Sequence, residues 1–393
     1  MPSLREKGGI LLVCGESSGD QIAAAMLREL RRRNPRIPVY GVGGPALEKA
    51  GMDILIPQNE LAVMGVLDVL GSLGTLRRSF RRLEDVVRER SPEMLLLVDF
   101  PGFNLRLARD LRRLVPRILY YISPKYWVWK RGRLRTMGEL CDAIALIFPF
   151  EENDYRSLPV DARFVGHPVL DLVSNAPSRD LARELLGIDS SRPVIAYCPG
   201  SRRGELKRHL PILRDTEAEL ERLWPDKTHA PLRVLQLADG LDPDTLDQAT
   251  RLLPGVRQIQ GQFHTVLRAA DRALVASGTA SLETAALGTP HMVFYRLDPL
   301  AWALASRLVQ VKWVTAINIV ADRELVPESL QHRATGPALA KWCHDELENP
   351  AATENAERLA ATVRDLLGGP GAARRTAELA LEHIALLHRE RGQ

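Results

Sequence analysis

The sequence is poor in the residues that announce disulfides, structural zinc and membrane spans. Its 393 residues include only four cysteines, Cys14, Cys141, Cys198 and Cys343. They lie far apart with no C-x-x-C pair, which argues against both a zinc site and a disulfide framework. Cys14 and Cys198 fall in apolar runs and read as small buried hydrophobes. No stretch approaches the roughly 20 apolar residues of a membrane span. The first apolar run, Ile10 to Val13, is too short for a signal-peptide core, so a cytosolic location is expected. Neither sign of charge dominates. With 53 Lys and Arg against 49 Asp and Glu the net charge is +4, too little to argue for nucleic acid. No cluster has metal-ligand spacing. Asp242-Pro243-Asp244 superficially resembles the D-x-D of metal-dependent sugar transferases, but its Gly/Pro-rich surroundings read as a turn or cap.

What is present is ordinary globular composition, 45% hydrophobic and 26% charged, arranged as short apolar runs between longer amphipathic stretches. The strand candidates are Ile10–Val13, Val39–Val42, Met94–Val98, Ile118–Ile122, Ala143–Phe148, Val194–Cys198, Val234–Leu237, Ala273–Val275 and His291–Phe294. Each is brief, apolar throughout and flanked by polar, Gly or Pro residues, as for strands covered on both faces. Alternation with helical patterns predicts an α/β protein with parallel sheets. The alternation breaks between Ser174 and Ser191 and then restarts. Two Rossmann-like, doubly wound domains follow, over residues 1–173 and 174–336, with C-terminal helices over 337–393 for which packing back on the first domain is left open. Open α/β sheets bind ligands at the carboxyl ends of their strands, and with two such domains the expected site is the cleft between them.

The motifs fall just after predicted strands. Ala276-Ser277-Gly278-Thr279-Ala280-Ser281-Leu282-Glu283 runs from a strand into a helix start. Unpaired backbone N–H groups with hydroxyls beside them suit a diphosphate there, and Glu283, one turn on, suits a ribose; a plain helix cap is the simpler alternative. Pro199-Gly200-Ser201-Arg202 offers close backbone approach and a forked donor for phosphate. Asp99, in Asp99-Phe100-Pro101-Gly102-Phe103-Asn104, ends a buried strand and suits a general base or, failing that, a cap. Gly15-Glu16-Ser17-Ser18-Gly19-Asp20 is no G-x-G-x-x-G, and no acidic residue ends the second strand, so a dinucleotide is not expected. The turn suits sugar hydroxyls, or only tight packing. Trp127 and Trp129, beside Lys130 and Arg131, offer flat faces for a sugar ring or acyl chain. His167, in Phe164-Val165-Gly166-His167-Pro168, reads first as structural. The apolar stretch from Leu61 to Leu76, with Arg77, Arg78, Arg81 and Arg82 behind it, fits an anionic membrane surface or acyl pocket, or an internal helix with a solvated basic turn.

Together these blocks resemble the lipid-A-disaccharide synthase family, inverting glycosyltransferases of the two-Rossmann GT-B architecture. Also matched are Gly41-Val42-Gly43-Gly44-Pro45, Leu61-Ala62-Val63-Met64-Gly65, Ser123-Pro124, and Val326-Pro327-Glu328 before Leu330-Gln331. Nine blocks in register form a specific signal.

The resemblance implies transfer of 2,3-diacylglucosamine from UDP-2,3-diacylglucosamine to 2,3-diacylglucosamine 1-phosphate, forming a β-1,6 disaccharide and releasing UDP. It implies Asp99 as base, and nucleotide-sugar contacts from Gly200, Ser201, Arg202, Ser277, Gly278, Thr279, Glu283 and Asn318. Acceptor contacts are implied for Glu16, Ser17, Ser18, Met64, Trp127 and Trp129. No metal or cofactor is expected, nor nucleic acid. A peripheral place on the cytoplasmic face of the inner membrane is expected, and a homodimer is left open. Two alternatives stand beside this. One is another UDP-N-acetylglucosamine enzyme of this architecture, a transferase or 2-epimerase; the other is a non-catalytic nucleotide-sugar-binding relative.

Overall fold

The computed structural model describes residues 7–62, 69–124, 126, 132–226, 228, 230–298, 302 and 312–392. The chain divides into two compact units, Met1–Asp171 with Leu367–Gln393, and Leu172–Leu366.

The first unit is built on seven strands: β1 (Ile10–Cys14), β2 (Val39–Gly43), β3 (Asp53–Pro57), β4 (Met94–Val98), β5 (Arg117–Tyr121), β6 (Ala143–Leu146) and β7 (Asp161–Phe164). They lie side by side in the order β3-β2-β1-β4-β5-β6-β7, all parallel. Every residue of β1, β2, β4 and β6 is buried. These strands carry apolar residues without alternation because helices cover both sheet faces. Strand order reverses between β1 and β4, where Cys14 stands opposite Val98. The loops leaving these two strands therefore diverge and open a crevice.

The second unit repeats the plan with β8 (Val194–Cys198), β9 (Leu232–Leu237), β10 (Arg257–Gln260), β11 (Arg272–Ala276), β12 (His291–Tyr295) and β13 (Glu328–Leu330). The order is β10-β9-β8-β11-β12-β13, again parallel. Its reversal lies between β8 and β11, where Cys198 stands opposite Val275. Each sheet thus has one switch point, and four of the motifs read from the sequence, Gly15–Asp20, Asp99–Asn104, Pro199–Arg202 and Ala276–Glu283, leave the strands that form them.

The tail over 337–393 does not stay together. Helices Gly336–Glu348 and Ala352–Leu366 belong to the second unit, whereas helix Ala372–Glu390 belongs to the first. There Leu379, Ile384 and Leu387 are buried, and the helix packs on helix Ser17–Arg33, β5 and β6. The Phe164-to-Pro168 motif receives the returning chain. His167 N–H donates to the Leu367 carbonyl at 3.0 Å, and Arg375 Nε donates to the Val165 carbonyl at 2.7 Å. The Asp171 carboxylate accepts the backbone N–H groups of Gly371 and Ala373, capping the helix start. Salt bridges Arg33–Glu378, 2.9 Å, and Arg163–Glu382, 2.8 Å, flank the joint. His167 is buried in this docking point.

Candidate functional site

At the first switch point the chain leaves β1 through Gly15 and Glu16 into helix Ser17–Arg33, and leaves β4 through Asp99 and Phe100 into helix Pro101–Leu111. Asp99 and Phe100 both have left-handed backbone, φ 45° and 49°. Such φ values in non-glycine residues cost on the order of 1–3 kcal/mol each and persist only where the surroundings enforce them. The enforcement is visible. Asp99 N–H donates to the Tyr121 carbonyl at 2.9 Å. The Asp99 carbonyl accepts from Tyr120 Oη at 2.6 Å and from Asn104 Nδ2 at 2.7 Å. With its peptide held on both sides, the side chain has a defined origin at the strand end.

Gly15 lets the two exits meet. A Cβ there would fall 2.5 Å from the Phe100 ring, so only glycine allows the loop after β4 to close over the loop after β1. Asp20, the last residue of the Gly15 motif, is buried and takes the N–H groups of Gly44, 2.8 Å, Ala46, 2.9 Å, and Leu47, 3.3 Å. It caps the short helix Pro45–Lys49 and explains the Gly43-Gly44-Pro45 motif as its docking partner. Burial first, then the carboxylates of Asp20, Asp99 and Glu16 against a backbone hydrogen bond, push the Cys14 thiol up to about 12, which makes it inert. Glu16 is half-buried and Ser18 exposed at the helix start. Met64, Trp127 and Trp129 lie outside the described residues, as do Lys125, Lys130, Arg131, residues 63–68 and the side chains of Ser17 and of 62–76.

At the second switch point β8 exits through Pro199-Gly200-Ser201-Arg202 into helix Arg203–Leu223, and β11 exits through Ser277-Gly278 into helix Thr279–Leu287. Ser201, Arg202, Gly278 and Thr279 are exposed, and Ser277 is half-buried. Arg202 makes no ion pair with any described residue. Gly200 has φ +110° and Gly278 φ +148°, both glycine territory. At Gly278 nothing lies within 4 Å of an added Cβ, so backbone conformation alone demands glycine. At Gly200 a Cβ would also meet Glu205 Oε2 at 2.4 Å. That carboxylate accepts from Ser201 N–H, 3.2 Å, and Arg202 N–H, 3.3 Å, while its other oxygen accepts from Tyr295 Oη at 2.9 Å. Two amides of the loop are thus held from within, while the Arg202 guanidinium and the Thr279 helix start are among the groups open to an anion.

Glu283 is anchored by His264 Nε2 at 2.6 Å, a partner no motif announces. Ser281 is buried with its hydroxyl 3.2 Å from His291 Nε2, a packing role. Asn318 departs from expectation. It is fully buried, and its amide donates to the Val326 carbonyl and Glu328 Oε1 at 2.8 and 2.9 Å while accepting from Leu325 and Val326 N–H at 2.7 and 3.0 Å. All four hydrogen-bonding positions are taken, so it locks a loop and has none to offer a nucleotide. Glu328 shares that lock through Val314 and Thr315. Glu205 sits three residues after Arg202, a helix-start spacing that could have revealed it.

Each half has distinct chemistry: a carboxylate on enforced backbone in one unit, a guanidinium with helix-start amides in the other. Across residues 10–382 the sequence matches the family described as Lipid-A-disaccharide synthetase. The lipid-A-disaccharide synthase of Geobacter sulfurreducens is 36% identical over 375 residues, 95% of this chain and 97% of the relative. The chain belongs to the lipid-A-disaccharide synthase family. It is a glycosyltransferase of GT-B architecture, two Rossmann-like α/β units. Solved structures agree in fold. UDP-GlcNAc 2-epimerase from Neisseria meningitidis, bound to UDP-GlcNAc, superposes with TM-score 0.66 at 16% identity over 95% of this chain and 100% of that one. MurG from Acinetobacter baumannii gives 0.54 at 12% identity over 96% and 99%. The epimerase likeness is one of fold, whereas the match to the lipid-A-disaccharide synthase family is one of sequence across nearly the whole chain. Among the described residues, no helix is long and apolar enough to cross a membrane.

Proposed function

We propose that the protein transfers 2,3-diacylglucosamine from its UDP donor to the 6-hydroxyl of 2,3-diacylglucosamine 1-phosphate, with inversion, as a lipid-A-disaccharide synthase. The observation that carries the reading is the family match over residues 10–382, with Asp99 and Arg202 each at the switch point of its own sheet. The Asp99 carboxylate takes the proton of the acceptor 6-hydroxyl as that oxygen attacks the anomeric carbon. The bond from that carbon to the UDP oxygen breaks, and its electron pair leaves with the diphosphate. Arg202 and the amide dipoles at Thr279 receive this charge, so the reading assigns no step to a metal or cofactor. Glu283, held by His264, meets the ribose. Glu16, Ser17 and Ser18 are assigned to the acceptor sugar.

The acyl chains engage the 61–76 stretch at the cytoplasmic face of the inner membrane. The exposed arginines at 77, 78, 81 and 82 support this reading through attraction to anionic lipid. The test is to mix the protein with both acylated substrates and follow UDP and the disaccharide 1-phosphate. Turnover of UDP-N-acetylglucosamine alone would end the lipid assignment, and donor binding without product would favour a non-catalytic relative.

A further inference from the structure

His209 is fully buried in the second turn of helix Arg203–Leu223, and the reaction as described makes no use of it. Its ring lies between two strand exits. Nδ1 is 2.6 Å from the Pro199 carbonyl, on the residue that opens the Gly200-Ser201-Arg202 turn. Nε2 is 3.1 Å from the backbone N of Arg296, the first residue after β12. A carbonyl only accepts and a peptide N–H only donates, so one tautomer satisfies both: neutral, with the proton on Nδ1. Burial lowers the pKa of the ring, in keeping with a neutral imidazole. The rings of Phe294 and Tyr295 pack against it, centroids 5.1 and 5.0 Å away. Arg296 is fastened in turn to the Ala334 carbonyl at 2.6 Å.

We infer that His209 is a positioning residue for the diphosphate loop: its Nδ1–H fixes the Pro199–Gly200 peptide from which the chain turns to present Arg202. Glu205 holds the far side of the same turn through the Ser201 and Arg202 amides, so the loop is gripped from below at both ends by one helix. The inference rests on the reading that UDP binds at this loop.

The two ring nitrogens can be tested separately. The amide of H209N overlays Nδ1 and can still donate to Pro199. The amide of H209Q reaches the Nε2 position and keeps only the Arg296 contact. H209L keeps neither. UDP affinity by calorimetry should fall about tenfold in H209Q and H209L, the scale of one lost buried hydrogen bond, and return to within about threefold of wild type in H209N. Donor KM should follow UDP affinity while acceptor KM stays unmoved, a split that general destabilisation would not produce. Equal losses in H209N and H209Q, or wild-type UDP affinity in H209Q, overturn the inference. If H209L does not fold, the Asn–Gln pair still decides. Absence of UDP binding by the wild type also overturns it. A wild type that binds UDP yet forms no disaccharide sinks the functional reading instead, and the affinity differences then judge His209 alone.

Discussion

The two units share one order over six strands, to which the first adds a seventh, and solve the switch point in opposite ways. In the first, the exit from β4 bends left-handed through Asp99 and Phe100, residues that resist it. In the second, the exit from β11 turns at Gly278, φ +148°, and that from β8 at Gly200, φ +110°, conformations that glycine adopts freely. The difference follows what each site must present. On the proposed reading the first unit needs a carboxylate that glycine cannot supply, and the strain is enforced through Tyr120, Tyr121 and Asn104. The second unit presents helix-start amides and a neighbouring guanidinium, for which glycine leaves the backbone open. Chemistry at a side chain is bought with strain, and chemistry at the backbone with a missing side chain.

The sharpest way to break this comparison is Asp99→Asn. If Asp99 is the base, kcat should fall by about 10²–10⁴, while UDP affinity, which belongs to the other unit, stays near wild type. Substantial residual transfer removes the role. Next comes a contrast in acid. His291, buried under the Ser281 hydroxyl in the second unit, has its pKa lowered by burial from 6.5 to about 4. The unfolded chain therefore binds this proton first. The contribution is whole above pH 6.5 and is lost as pH falls towards 4, up to roughly 3 kcal/mol. Unfolding followed from pH 7 to 4 should flatten in His291→Gln, and an unchanged slope would contradict the assignment. Arg202→Ala should weaken UDP binding by roughly 1.5–3 kcal/mol, the value of a charge-assisted hydrogen bond; an unaltered titration curve would remove that contact. The smallest effects have opposite signs. Asp99→Gly should stabilise the fold by about 1 kcal/mol as it relieves the left-handed backbone, whereas Gly200→Ala should destabilise by a similar amount. Thermal midpoints moving the same way in both variants would erase the contrast.

The central strands were legible because full burial writes a continuous apolar run. The strands that went unread, β3, β7, β10 and β13, are the four sheet edges. All four are only partly buried; Asp161–Phe164, Arg257–Gln260 and Glu328–Leu330 mix in polar residues and leave no apolar run, whereas Asp53–Pro57 carries a short one, Ile54–Ile56, that went unread. Asp99 and Arg202 were legible as motif residues after strands. Glu205 was readable from its helix-start spacing but went unused; His209, His264 and Tyr295 were not legible, because each acts through a partner distant in sequence or through a backbone atom that no composition records. Asn318 misled for the same reason: its environment, four saturated hydrogen bonds, exists only in the folded loop.

Local order by itself determined the alternation of strand and helix, the doubling of the plan after the break at 174–191, and the placement of glycine, carboxylate and arginine just past strand ends. Hydrophobic periodicity and turn chemistry act over a few residues, so they are readable in line. Tertiary structure decided which exits became neighbours, that helix Ala372–Glu390 returns to the first unit, and which polar side chains hold a loop instead of meeting a ligand. Those outcomes depend on hydrogen bonds and packing between segments up to 345 positions apart, as for Arg33 with Glu378, and no short stretch of sequence encodes its distant partner.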